Sequence, residues 1–256
     1  MKLVLINVGI SGGYRGFIFP DRSFVFVPLD SKSGWCELMP LYEELRIKDF
    51  TFSKYAKSPK FRNSTLADLI PSLREKRSHN DPDFKHLTYG HVKRGFGYET
   101  LIKSLSEDDI LLSYATLDYY HLERESRDKS INPNWGAYIV GAFSIDQVYT
   151  HDEFQDLSTR KQQRFKNNPH YYCNNPADLW VSGKRKEYGL FRKAGPLSAP
   201  HSSMQCLPLL SENFVSVAGK PAGSAGWYRA ALKCELEAKT IFNKIAIMGD
   251  VPPIAG

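Results

Sequence analysis

Four aromatic side chains, Tyr114, Tyr119, Tyr120 and Trp135, flank the two most apolar runs of the middle of the chain, 110–114 and 136–143. If those runs pair as strands, the rings stand where a pocket between them would open. A planar base held there by stacking gains on the order of 1–3 kcal/mol. The plainer alternative is that the same rings are ordinary core and rim residues. The densest basic-aromatic segment follows later: Lys184, Arg185, Lys186, Arg192 and Lys193, interleaved with Tyr188 and Phe191. Such cations neutralise phosphates while neighbouring rings stack on bases. The cations Arg160, Lys161, Arg164 and Lys166 add to this surface only if their segment folds beside it. Arg15, in the loop Ser11-Gly12-Gly13-Tyr14-Arg15-Gly16, is a further candidate ligand contact. That loop has neither the G-x-x-x-x-G-K-[ST] nor the G-x-G-x-x-G order, and strand signals follow it. A nucleoside triphosphate cradle is therefore not expected.

For acid–base work the candidates are His86 and His91, grouped with Tyr89 and Arg94 around Gly90 and Gly95, together with His121. Imidazole titrates near neutrality, so it suits proton transfer to or from a base. His170 and Cys173 have H-x-x-C spacing, and His201 and Cys206 have H-x-x-x-x-C spacing, both usable by a tetrahedral metal. Neither matches a common zinc template, so no metal and no other cofactor is expected. There is no G-x-S-x-G elbow and no Cys-His signature. The E-x-K pattern Glu235-Leu236-Glu237-Ala238-Lys239 falls in a helical stretch, where it reads as surface charge pairing.

Lys and Arg total 34 against 28 Asp and Glu, a formal charge of +6. The excess suits phosphate-bearing partners without amounting to a basic tail. The four cysteines lie far apart without C-x-x-C spacing. The expectation is four reduced thiols in the cytoplasm. No apolar run approaches the ~20 residues that cross a bilayer, so a membrane partner is not expected.

These side chains need elements to hold them. Residues 3–8 form a continuous apolar run that reads as a buried strand, and 17–19 and 24–27 flank a Pro-Asp turn as a hairpin. Residues 65–74 read as a helix that Pro71 divides. The polar stretch 78–82 reads as a loop, and 98–105 as a helix leading into the strand at Ile110. Residues 121–133 are charged and read as an exposed excursion. The strand from Ala137 is expected to bend at Gly141 or Asp146. Thr150 and Glu153 form a capping box for a helix running to about Lys166. Strand signals at 179–183 and 188–191 lie on either side of the basic stretch, and 229–239 reads as a helix.

The run Leu3-Val4-Leu5-Ile6-Asn7-Val8-Gly9, the hairpin 17–28, Thr88-Tyr89-Gly90 and Asp109-Ile110-Leu111-Leu112-Ser113-Tyr114 resemble one family. So do Asn168-Pro169-His170, Trp180-Val181-Ser182-Gly183 and Arg192-Lys193-Ala194-Gly195-Pro196-Leu197-Ser198. It is the third of the nucleotide-modification-associated domain families, found in prokaryotic and phage proteins linked to DNA modification. The stretch 107–149 is also similar to the base-binding barrels of the PUA superfamily, which includes the ASCH, YTH and EVE domains. These resemblances imply nucleic acid or a modified nucleotide as partner and transfer no catalytic residue.

The expected architecture is α+β: one domain over 1–256 with a mixed, barrel-like sheet, peripheral helices and a base-binding-like core at about 107–200. The leading functional expectation is recognition of nucleic acid or a modified nucleotide. An enzyme acting on a nucleotide or base, or an interaction subunit with no ligand of its own, are the alternatives.

Overall fold

The computed structural model describes residues 1–9, 15–31, 36–92, 98–129, 131, 134–173, 176–197, 231–232 and 235–250. The strands are β1 (Leu3–Asn7), β2 (Gly16–Ile18), β3 (Phe24–Val25), β4 (Leu29–Asp30), β5 (Ser78–His79), β6 (Thr88–His91), β7 (Ile110–Tyr119), β8 (Trp135–Thr150), β9 (Leu179–Pro196) and β10 (Ala231–Leu232). The α-helices are α1 (Leu66–Leu69), α2 (Tyr98–Lys103), α3 (His151–Gln155), α4 (Thr159–Gln162), α5 (Pro169–Tyr172) and α6 (Glu235–Gly249).

The main sheet runs β10-β1-β7-β8-β9-β6 and curls into a half-barrel, an α+β arrangement of mixed strand direction. Strand β7 is buried over most of its length, as a central strand must be. One edge of it is shared. β1 runs parallel to its first half, from Leu3 opposite Ile110 to Asn7 opposite Tyr114. β2 runs parallel to its second half, from Gly16 opposite Leu117 to Ile18 opposite Tyr119. Its other edge pairs antiparallel with β8, which in turn pairs antiparallel with β9. The expected bend near Gly141 is present as register shifts on both sides of β8. The short strand β6 closes the far edge, pairing with the start of β9 so that Gly90 stands opposite Trp180.

A large apolar core holds Leu5, Leu112, Val140, Phe143 and Phe191. A second cluster of Tyr149, Phe154, Phe165, Ala177 and Trp180 fastens the 151–172 segment to β9. There the Phe154 ring stacks on Trp180 at 4.2 Å and Phe165 meets it edge-on at 5.3 Å. Such aromatic pairs add about 0.5–1.5 kcal/mol beyond area burial.

Several local expectations are corrected. The helix expected from Thr150 to Lys166 is broken into α3, α4 and a 3-10 turn at Gln163–Phe165. The capping box at Thr150 and Glu153 does form. Ser158 is extended (ψ 146°), and the Gln162 amide donates to the carbonyls of Phe154 and Gln155, satisfying the end of α3. The break lets both Phe154 and Phe165 face Trp180. Residues 78–79, read as part of a loop, form β5 against β4, and Ser78, Asp81 and Asp83 are buried. The segments on either side of the basic stretch are one 18-residue strand, β9, with 184–187 bulged outward. Positive φ at Lys186 (66°), Tyr188 (82°) and Gly189 (127°) turns the chain out and back, and only glycine adopts such angles without strain. The C-terminal helix spans 235–249 rather than 229–239, with β10 before it. Pro71 divides the 65–74 segment as expected.

Cys36 and Cys173 are joined in a disulfide, in place of the expected reduced pair. Their Cα atoms are 5.5 Å apart, a separation that bridged cysteines ordinarily span. Among the described residues, no helix is long and apolar enough to cross a membrane.

Candidate functional site

The sheet sorts the candidate side chains to opposite ends of β8. At the β7 end, Arg15 Nη1 donates to Asp118 Oδ1 at 2.9 Å while its guanidinium lies 4.1 Å over the Trp135 ring. Arg127 lies 5.4 Å over Tyr119, and exposed His121 meets Tyr119 edge-on at 4.6 Å. Tyr120 packs its ring on Phe17, Phe19 and Phe61 and accepts from Lys60 Nζ through its hydroxyl at 2.7 Å. The crevice around Tyr120 is filled by these rings and leaves no room for a water molecule. Tyr114 lies in mid-strand at 1% exposure, within the core. Exposed Arg192 and half-buried Lys193 are also nearer this end, where the Ala194 amide donates to the Arg22 carbonyl.

At the opposite end, where β6 joins β9, the structure assembles a group that spacing alone does not disclose. Asp81 is buried in the turn between β5 and β6, followed by a cis bond to Pro82. Its Oδ1 accepts from Asn168 Nδ2 at 2.7 Å and from the Gly90 amide at 3.1 Å, and its Oδ2 lies 3.3 Å from the same amide. Two imidazoles face Oδ2, with His170 Nε2 at 3.6 Å and His79 Nε2 at 3.8 Å. Those rings meet edge-to-face at 4.9 Å.

Each member is set by a local rule. Asn168 caps α5, its Oδ1 accepting from the His170 amide at 3.0 Å, and Pro169 takes the first helical position where its missing N–H costs nothing. One asparagine thus starts the helix that carries His170 and aims the carboxylate it faces. Gly90 makes room: a Cβ there would lie 2.6 Å from His170 Cδ2 and 3.2 Å from Ala177 Cβ. The disulfide fastens Cys173, the residue that ends α5, to Cys36.

His91, one strand position beyond Gly90, is half-buried, and its Nδ1 lies 3.0 Å from the Tyr89 hydroxyl. Burial holds its pKa below the ordinary imidazole value, against the opposing pull of Asp81 and Asp178. His86 sits one turn away, its Nδ1 2.6 Å from Asp83 Oδ2 and 3.1 Å from Asn167 Nδ2.

Arg164 ties this group to a cationic surface. Its Nε donates to the His86 carbonyl at 3.3 Å, Nη1 to Asp146 Oδ2 at 3.0 Å, and Nη2 to the Gly183 carbonyl. Gly183 is the residue immediately before the basic bulge. Arg160, Lys161 and Lys166, close to Arg164 in sequence, and Arg185 and Lys186 in the bulge are all exposed. Lys184 is occupied instead, 2.7 Å from Asp108 and 2.9 Å from Glu107, and these hydrogen bonds hold its pKa above the ordinary lysine value.

The structure thus sets His170 against Asp81, with His91 next to Gly90 and His86 bonded to Asn167, the neighbour of Asn168. Arg185 and Lys186 are exposed in the β9 bulge, and Arg15, Tyr119, Tyr120, His121 and Trp135 stand at the other end. Cys173 is bonded to sulfur and supplies no thiolate. His201 and Cys206 lie outside the described residues. His79 and Asp81 are new to the site, and their one sequence signal is the H-x-D spacing before Pro82.

Residues 2–241 match the family model described as nucleotide modification associated domain 3. No curated protein and no solved structure matches the chain, so the PUA likeness draws no support from them.

Proposed function

The chain belongs to the nucleotide modification associated domain 3 family, and from that premise we propose that it acts on a nucleic acid or a modified nucleotide. Phosphates lie along Arg160, Lys161, Lys166, Arg185 and Lys186, and the base is presented to the Asp81 cluster. The setting proposed is DNA modification or defence in a prokaryote or phage. The observation that carries this reading is Arg164, whose guanidinium joins the basic bulge to the loop bearing His86. Cations beside a buried carboxylate and several imidazoles suit a polyanionic substrate whose base undergoes proton transfer.

The test is binding of labelled DNA and RNA, single- and double-stranded, to the wild type and to Arg185→Glu/Lys186→Glu over a range of salt. Loss of two phosphate contacts weakens binding more than tenfold at low salt. It also flattens the log K against log salt slope by about 1.8 on duplex DNA. Undiminished affinity overturns the reading.

A second reading, recognition without chemistry, is favoured by the Arg15–Trp135 stack and by Arg127 over Tyr119. It requires that Trp135→Ala abolish binding while the double charge reversal leaves it intact.

A further inference from the structure

We propose that His79 Nε2, Asp81 Oδ2 and His170 Nε2 bind one divalent first-row transition ion, zinc or ferrous iron. The three atoms lie within 4.8 Å of one another. The two nitrogen–oxygen separations, 3.6 and 3.8 Å, exceed hydrogen-bond length, which ends near about 3.2 Å. They are close to the edge of a coordination tetrahedron: ligand bonds of about 2.0–2.2 Å place neighbouring donor atoms about 3.4 Å apart. An ion between the three atoms would fit this spacing.

Burial argues the same way. The side chains of Asp81 and His170 are 2% and 5% exposed, and the closest donors to Asp81 fall on Oδ1, which leaves Oδ2 turned toward the two imidazoles. The Asn168 amide and the Gly90 N–H orient Asp81 as outer-shell partners orient a metal ligand. Two imidazoles and one carboxylate select zinc or ferrous iron over calcium or magnesium. Three protein ligands leave positions open for water or substrate, as reacting centres do and closed structural zinc sites do not. The metal assignment itself rests on the cluster alone and stands apart from the phosphate surface.

The experiment begins with elemental analysis of the full chain purified without chelator. It continues with titration of the chelator-treated protein with Zn²⁺, and with Fe²⁺ under anaerobic conditions. About one ion per chain is expected, with affinity lowered at least tenfold in Asp81→Asn and in His170→Gln and unchanged in His86→Asn. Asp81→Asn keeps an acceptor for Asn168 and Gly90, so it is the variant suited to remain folded. Cobalt(II) loading of the wild type provides a readout independent of any variant. Visible ligand-field bands without a thiolate charge-transfer band support the assignment, and a thiolate band overturns it in favour of cysteine ligands. Failure of the folded wild type to bind either ion, or unaltered affinity in both ligand variants, also overturns it. Zinc and iron are told apart by which ion is recovered and which binds more tightly. Nucleic-acid affinity measured on the same samples shows separately whether the phosphate surface stands.

Discussion

Gly90→Ala tests the geometry of the site with a single methyl group. The added carbon would sit 2.6 Å from His170 Cδ2, 3.0 Å from Cγ and 3.2 Å from Ala177 Cβ. Carbon atoms pack at about 3.5–4.0 Å, so the imidazole must retreat by about 1 Å. Its surroundings oppose that movement, because the ring is 95% buried and meets both His79 and Trp180 edge-on. Overpacking of this kind costs about 1–3 kcal/mol. At about 2–4 °C per kcal/mol for a chain near this size, melting falls by roughly 2–12 °C. Retreat also moves Nε2 away from Asp81, so affinity for the proposed ion drops with stability.

The control is Gly195→Ala, also a glycine on a strand of the same sheet. Its Cβ would meet Ile139 Cβ at 3.7 Å and Ile245 Cγ2 at 3.9 Å, ordinary contact distances. That variant is expected to melt within a degree or two of the wild type. The reduced freedom of its unfolded chain offsets small local adjustments, an effect of about 0.4–1 kcal/mol where the backbone is compatible. The measurement is thermal and urea unfolding of both variants followed by circular dichroism. Equal melting temperatures for the wild type and Gly90→Ala would refute the close approach of β6 to α5.

Two further outcomes rest on other features. The Cys36–Cys173 bridge closes a span of 137 residues, and loop closure of that length corresponds to about 5 kcal/mol in the chain-entropy account. Reductant, or the pair Cys36→Ala and Cys173→Ala, should therefore lower the urea midpoint, and a midpoint indifferent to reductant counts against the bridge. The carboxylate of Glu153 accepts from the Thr150 amide and hydroxyl, which holds its pKa below the ordinary glutamate value. Its contribution is present above the unfolded glutamate pKa and is lost as pH falls through the lower folded value. Glu153→Gln should thus melt below the wild type at neutral pH and converge with it in acid. Parallel curves across that range would exclude the carboxylate as the source.

What could be read in advance was what depends on neighbours in sequence. The apolar runs that became β1 and β7, the capping box at Thr150 and the division at Pro71 each follow from a few adjacent residues. So does the glycine bend in β8. The site followed a different logic. Spacing pairs His170 with Cys173, yet its partners come from β5 and from the turn before β6, about ninety residues earlier. No periodicity links 79 and 81 to 170. Asp81 also stood in a stretch whose polar composition reads as a solvated loop, whereas its carboxylate is satisfied by a cap residue and a backbone amide and so can be buried. The break between α3 and α4 was hidden for a related reason. Helical propensity continues through Ser158, and only the distant Trp180 gives both Phe154 and Phe165 a reason to turn the same way.

The divided edge of β7 bears on the order in which the chain folds. The strands β7, β8 and β9 are consecutive and antiparallel, so their pairings close short distances in sequence. By contrast β1 and β2 must find β7 across about one hundred intervening residues, and contacts of that separation form late because loop closure precedes their reward. On a ribosome, β1 and the β2–β3 hairpin emerge before β7 and would wait for it until the meander behind them had been made. Pulse-labelled hydrogen exchange should accordingly protect the amides of Leu111 to Thr116 facing β8 before those of Leu3 to Ile6. β1, synthesised ahead of β7, would then acquire its place after it.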